Sequence, residues 1–294
     1  MPFATTSDGV RLHYEEVGAG EALVFLHEFG GDHRSWEGEL RHFSRRYRCI
    51  AYSARGYLPS DVPSDPGAYS QERARDDLFA VLDHLGIATA HLVGLSMGAF
   101  AALHAGIAHP GRVLSMVIAG CGYGADPAGG AQFRADCEGL ARAFEADPAL
   151  AAARHAASPT RVQLQAKDPR AWEEFARALA GHSPRGSANT LRGVLMKRPL
   201  LFEMVEALRN VQPPVLVIAG DEDEPCLEAG LLLKRTIPRA GLLFLPRSGH
   251  TLHLEEPDAF HRAIEDFHAA VHAGAWGPRP LRPGGPGVMG FGET

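Results

Sequence analysis

The chain has 294 residues, 45% of them hydrophobic, and a formal net charge of −6. That length suits one large domain, or one domain carrying an insertion, and supports a sizeable core. The acidic balance argues against a general nucleic-acid binder, which presents a basic face. The N-terminal MPFATTSDGVRLHY has no basic stretch followed by an apolar one, and no apolar run approaches a membrane span. No signal peptide, no membrane contact and a cytoplasmic location are therefore expected.

Taken in chain order, Val10 to Val17 and Ala22 to His27 read as strands joined by the GAG turn at Gly18 to Gly20, and Tyr47 to Ser53 reads as a third. Between them SWEGELRHFSRR places Trp36, Leu40 and Phe43 at helical spacing. QERARDDLFAVLDHLG repeats the pattern with Leu78, Val81, Leu82 and Leu85, and Gly86 supplies its stop signal. His91 to Leu95 reads as a strand, Met97 to Ala108 as a helix ending before Pro110, and Val113 to Ala119 as a further strand. The runs Val215 to Ala219 and Leu242 to Leu245 resume the alternation, with helices at about Leu227 to Thr236 and Pro257 to His272. Strands alternating with helices imply an α/β fold with a mostly parallel central sheet flanked by helices.

The stretch 121–199 breaks the rhythm. It is strand-poor and helix-like in QFRADCEGLARAFEA, PRAWEEFARALAG and NTLRGVLM, as expected of an inserted helical cap, leaving 1–120 and 200–272 as the core. It holds eleven Lys and Arg against eight Asp and Glu in an otherwise acidic chain. A basic lid could favour anionic substrates, and solvated helix faces give the same count. Residues 273–294, dense in Pro and Gly, read as an extended or mobile tail. Cys49, Cys121, Cys137 and Cys226 lie far apart with no C-x-x-C pair, as expected of reduced packing residues.

The decisive segment is HLVGLSMGAF, where Gly94, Ser96 and Gly98 form G-x-S-x-G between a strand and a helix. In that context a serine sits on a sharp turn with its hydroxyl above the sheet, and the following helix points free N–H groups at the site. A serine in a glycine-rich turn with no chemistry gives the same pentapeptide, so the partners decide. A serine hydroxyl is a weak nucleophile until a base takes its proton and a third group orients that base. Asp223 lies just past an apolar strand in PPVLVIAGDEDEPC, where Asp221 is its rival and helix capping the alternative role. His250 follows another strand in LLFLPRSGHTLHLEEP; its rival His253 sits between Leu252 and Leu254 and suggests a half-buried structural imidazole.

The order Ser96, Asp223, His250, each after its own strand, is that of the α/β-hydrolase triad. The chain resembles that superfamily over nearly its whole length, through HEFGGDHRSW, YSARGYLPSD, GLSMG, GDED and SGHTLHLEEP. The resemblance implies an oxyanion hole made by the backbone N–H groups of Phe29 and Met97. Glu28 departs from the glycine usual after the loop histidine, so its side chain either points away or changes the polarity beside that hole. Ser53 and Leu58 stand where the family more often has Asp and Gly, and Arg55 reads as a structural donor.

The HE of His27 and Glu28 lacks the second His that a zinc protease needs, since Gly31 stands there, and GAGEAL lacks a dinucleotide fingerprint. The expected protein is a serine hydrolase, cleaving an ester, lactone or related activated carbonyl compound through an acyl-enzyme on Ser96. No metal and no cofactor are implied, the partner is a small-molecule substrate, and a homo-oligomer is left open. Hydrolysis of a carbon–carbon bond in a vinylogous diketone is the alternative, followed by cofactor-free perhydrolysis or oxygenation, and by a non-enzymatic ligand receptor. An inward Arg134, Arg142, Arg154 or Arg161 would favour carboxylate-bearing substrates, and an apolar pocket neutral esters.

Overall fold

Short apolar runs such as ALVFL, AHLVGL and VLSMVIA bury both faces at once, which only the interior of a covered sheet can accept. The computed structural model, which describes residues 1–125 and 127–279, places eight strands in one sheet. They are β1 (Phe3–Thr5), β2 (Arg11–Val17), β3 (Ala22–Leu26), β4 (Arg48–Tyr52), β5 (Ala90–Leu95), β6 (Val113–Ala119), β7 (Val215–Gly220) and β8 (Ala240–Leu245). The spatial order is β1-β2-β4-β3-β5-β6-β7-β8. β2 pairs antiparallel with β1 and β4, and every other pairing is parallel. β2 and β3 are thus consecutive in the chain but not neighbours, because β4 lies between them.

Alternate residues of one strand serve opposite faces. Val24 and Leu26 of β3 join Leu92, Phe100 and Met116 on one side, while Leu23 and Phe25 join Trp36, Val93 and Val117 on the other. Helices α1 (Glu37–Phe43), α2 (Gln71–His84) and α3 (Met97–Ala108) follow the successive strands of the first half. In that half the structure adds β1, which is too short to show a period.

Between β6 and β7 the chain leaves the sheet for α4 (Pro127–Ala146), α5 (Pro148–Ala156), α6 (Val162–Lys167), α7 (Pro169–Ala180) and α8 (Pro184–Thr190), the last running into a π-turn at Leu191–Leu195. Three of these helices start alike. Asp147, Asp168 and Ser183 each stand before a proline and accept a hydrogen bond from the backbone N–H three residues on. A separate apolar cluster, including Phe144, Leu164, Phe175 and Leu179, joins this insertion to Phe29, Tyr57 and Met97 of the sheet layer.

The chain then passes through α9 (Val205–Arg209), α10 (Glu224–Thr236), α11 (Leu252–Glu255) and α12 (Pro257–His272). Of the anticipated tail, Trp276 is anchored: its indole packs on Phe267 and donates to the Arg239 carbonyl. Residues 280–294 lie outside the described residues. Among the described residues no helix is long and apolar enough to cross a membrane, and Cys49, Cys121, Cys137 and Cys226 are all buried free thiols.

The loop after β4 is held by Arg55, which bonds both oxygens of Asp77 at 2.6 and 2.7 Å and also reaches Asp8 and the Ala68 carbonyl. Arg55 and Asp77 are 4% and 2% exposed, so neither charge has water to fall back on. Asp77→Ala is expected to cost about 3 kcal/mol in urea unfolding, since it strands a buried guanidinium; a loss below half that would show that Asp8 alone suffices.

Candidate active site

The turn between β5 and α3 fixes the site. Gly98 meets the backbone of the neighbouring strand: a Cβ built there would lie 2.0 Å from the Leu26 carbonyl oxygen, and one on Gly94 would lie 2.4 Å from the Gly98 carbonyl oxygen. No side chain fits in either position, so the two glycines of the motif are required by packing. Ser96 between them takes φ 53°, ψ −111°, a conformation that costs a non-glycine residue energy and turns its side chain out of the strand. Met97 is the first residue of α3, so its N–H has no partner within the helix. Ser96 and Phe29 line one cavity of about 300 Å³ together with His250.

Asp223 and His250 meet as well. His250 Nδ1 lies 2.7 Å from Asp223 Oδ2, and Asp223 Oδ1 accepts from the Tyr123 hydroxyl at 2.9 Å. Asp223 stands at the N-cap of α10 but makes no side-chain cap bond, so its carboxylate is committed to His250. Asp221 instead accepts from Ser248 N and is exposed. Burial pushes the Asp223 carboxyl up, but the His250 charge and the hydrogen bonds from His250, Cys226 and Tyr123 outweigh it, leaving a value of about 2. The stability this carboxylate contributes is therefore complete above its ordinary 3.8 and lost only as the pH falls to about 2. Burial and the adjacent Asp223 raise the Tyr123 hydroxyl, which stays protonated and able to donate.

The histidine turn is braced from two sides. Glu255 on α11 accepts from Gly249 N, Thr251 N and Thr251 Oγ1, and His250 N donates to the carbonyl of Thr160 in the insertion. His253, the rival base, is fully buried against Trp36 at a ring distance of 4.5 Å, away from Ser96's cavity. His27 is also structural. Its Nε2 accepts from Ala54 N, so Nδ1 carries the proton and donates to the Glu28 carbonyl. Burial lowers its pKa to about 4.

Glu28 points inward. It is 3% exposed, pairs through both oxygens with Arg161 of the insertion, and brings Oε2 to 4.0 Å from His250 Nε2. Burial alone would raise its carboxyl, but the attraction of Arg161 and then of His250 holds it below its ordinary value. The structure thus favours a change of polarity beside the inferred oxyanion hole over a side chain turned away.

Of the four arginines singled out from sequence, Arg134, Arg142 and Arg154 are exposed and only Arg161 faces the cavity. Arg198, which was not among them, also lines it at 5% exposure. Burial pulls its pKa down to about 10. Tyr123 is the other residue the sequence did not flag. The ligand atoms of Asp223, Cys226 and His250 lie within 4.8 Å of one another, but burial keeps the Cys226 thiol protonated, a poor metal donor. An open groove of about 1140 Å³ beside β2 and α1 contains neither Ser96 nor His250.

A family described as the alpha/beta hydrolase fold matches residues 21–257. The chain is 31% identical over 268 residues to the 2-hydroxy-6-oxononadienedioate/2-hydroxy-6-oxononatrienedioate hydrolase of Burkholderia vietnamiensis, covering 88% of this chain and 91% of that one. It is 29% identical over 264 residues to 3-oxoadipate enol-lactonase 2 of Acinetobacter baylyi, covering 88% and 94%. A hydrolase from Pseudomonas aeruginosa PA01 superposes with a TM-score of 0.80 at 26% identity, covering 92% of this chain and 98% of that chain.

The buried Glu28–Arg161 pair yields a direct test. Arg161→Ala is expected to cost about 3 to 5 kcal/mol in chemical unfolding, because it leaves an uncompensated carboxylate in the interior. Glu28→Met with Arg161→Met should recover most of that loss. A double variant no more stable than Arg161→Ala would show that the charge pair is not what Arg161 contributes.

Proposed function

Because the chain belongs to the α/β-hydrolase fold family, we propose that it is a serine hydrolase cleaving an ester or lactone through an acyl-enzyme on Ser96. One observation carries the reading. The strained Ser96 turn opens into the same cavity as an imidazole whose far nitrogen is held by a buried carboxylate. The likeness to an enol-lactonase along most of both chains agrees with it.

In this mechanism His250 Nε2 takes the Ser96 proton as Oγ attacks the carbonyl carbon. The negative charge that develops on the carbonyl oxygen is met by the N–H groups of Phe29 and Met97. Collapse breaks the bond to the alkoxy oxygen, which leaves with the proton from His250. Water then gives a proton to His250 and attacks the acyl carbon; Ser96 departs, recovering its proton. Asp223 keeps the Nδ1–H tautomer and balances the imidazolium, and Tyr123 holds Asp223 in place. Helices α4 to α8 act as the cap that walls the acyl pocket and limits water.

A panel of p-nitrophenyl esters and lactones tests this reading. Ser96→Ala and His250→Ala are each expected to lower kcat by about a thousandfold or more, as for other triads. His253→Ala should lose far less per folded molecule. Equal losses at the two histidines would reassign the base. Ligand binding without turnover by the wild-type protein would favour a receptor on the same fold. The second reading, hydrolysis of a carbon–carbon bond in a vinylogous diketone, is suggested by the name of the Burkholderia relative. It would win if such diketones were cleaved while every ester and lactone stayed intact.

A further inference from the structure

Arginine side chains remain charged at any physiological pH, so an arginine taken out of water needs an anion. Arg161 and Arg198 both line the Ser96 cavity and are 2% and 5% exposed, yet only one of them has such a partner. Arg161 is matched through two nitrogens by Glu28. Among the described residues no carboxylate pairs with Arg198. One terminal nitrogen donates to the Tyr123 carbonyl, and Nε is buried with no acceptor.

The surroundings hold this cation in place without neutralising it. Its guanidinium carbon lies 3.6 Å from the centre of the Phe100 ring and 5.5 Å from that of Phe133, so the planar fork is stacked and its orientation is set. Nearby walls are apolar, with Leu140, Leu191 and Leu195 from the insertion. Burial keeps His155 neutral, at about 4, and the carboxylate lining this cavity, Asp136, is exposed to solvent. Among the described residues, the buried part of the pocket therefore carries one uncompensated positive charge, a state that destabilises a protein unless a ligand answers it.

We infer that Arg198 binds a carboxylate carried by the substrate, so that the preferred substrates are esters or lactones bearing a second, free carboxylate. The inference rests on the acyl-enzyme reading for the word ester, but not for the anion site itself. Arg198 is a specificity residue: it positions one end of the substrate while the other end meets Ser96. A carboxylate in this pocket gains a charge-assisted, forked contact that a neutral chain of equal length lacks.

Two measurements on the full chain test it, one with turnover and one without. In the first, kcat/KM is compared for phenyl hydrogen adipate and phenyl hexanoate. The wild-type protein should prefer the anionic ester, and Arg198→Gln should lower the ratio about 10- to 100-fold, the range for a hydrogen bond to a charged group. Arg198→Lys should fall between, and Arg142→Gln, an exposed arginine paired with Glu138, should leave the ratio alone. In the second, adipate and adipamide are titrated calorimetrically into Ser96→Ala protein. Adipate should bind more tightly than adipamide, and adding Arg198→Gln should remove the difference.

If neither ester turns over but adipate binding depends on Arg198, the anion site stands and the ester reading fails. If adipate binds Ser96→Ala no better than adipamide, the inference is overturned. That comparison needs no substitution at Arg198 and holds even if Arg198→Gln does not fold.

Discussion

The contact on which the rest of the site depends is backbone against backbone. Helix α3 lies so close to β3 that Gly98 has no room for a methyl group beside the Leu26 carbonyl. That approach goes with the strained turn after β5 at Ser96, and Met97, the first residue of α3, is left with an N–H that has no partner within the helix. β3 and β5 are hydrogen-bonded neighbours, so Ser96 and the Phe29 loop are positioned by one piece of sheet. Strain at Ser96 is tolerated because the close-packed β5–α3 layer leaves the backbone no alternative.

The inserted helices do more than cover this centre. The Thr160 carbonyl accepts from His250 N, and Arg161, the next residue, pairs with Glu28 beside the same imidazole. Two consecutive residues of the insertion therefore touch the His250 turn and the loop after β3, tying the pocket wall to both. The unusual glutamate is thus explained as one half of a buried joint whose other half lies 133 positions away in the chain.

Much of this was legible in the sequence, for identifiable reasons. Met97–Ala108 and Val113–Ala119 were readable to the residue, and Pro257–His272 approximately, because their apolar patterns run long enough to mark the element. Ser96, Asp223 and His250 were found as candidates because each follows its own strand, and the structure brings Asp223 and His250 together. Helix α5 was missed: PALAAARHA has no stripe of large apolar residues, and its only signal is the Asp147–Pro148 start. Arg198 was missed because burial of a charge depends on contacts with Phe100 and Tyr123, which are 98 and 75 positions away. Local pattern carries no trace of such a contact. Likewise the basic surplus of residues 121–199 includes exposed arginines such as Arg134 and Arg154, and its informative member could not be told from them.

The central claim is that Ser96 is the activated nucleophile and that His250 activates it. It is tested most directly by treating the protein with an alkyl phosphonofluoridate and mapping the adduct by peptide mass spectrometry. One phosphonyl group per chain is expected, on Ser96, with labelling slowed by orders of magnitude in His250→Ala. Label on another residue, or on Ser96 at an undiminished rate without His250, would contradict it.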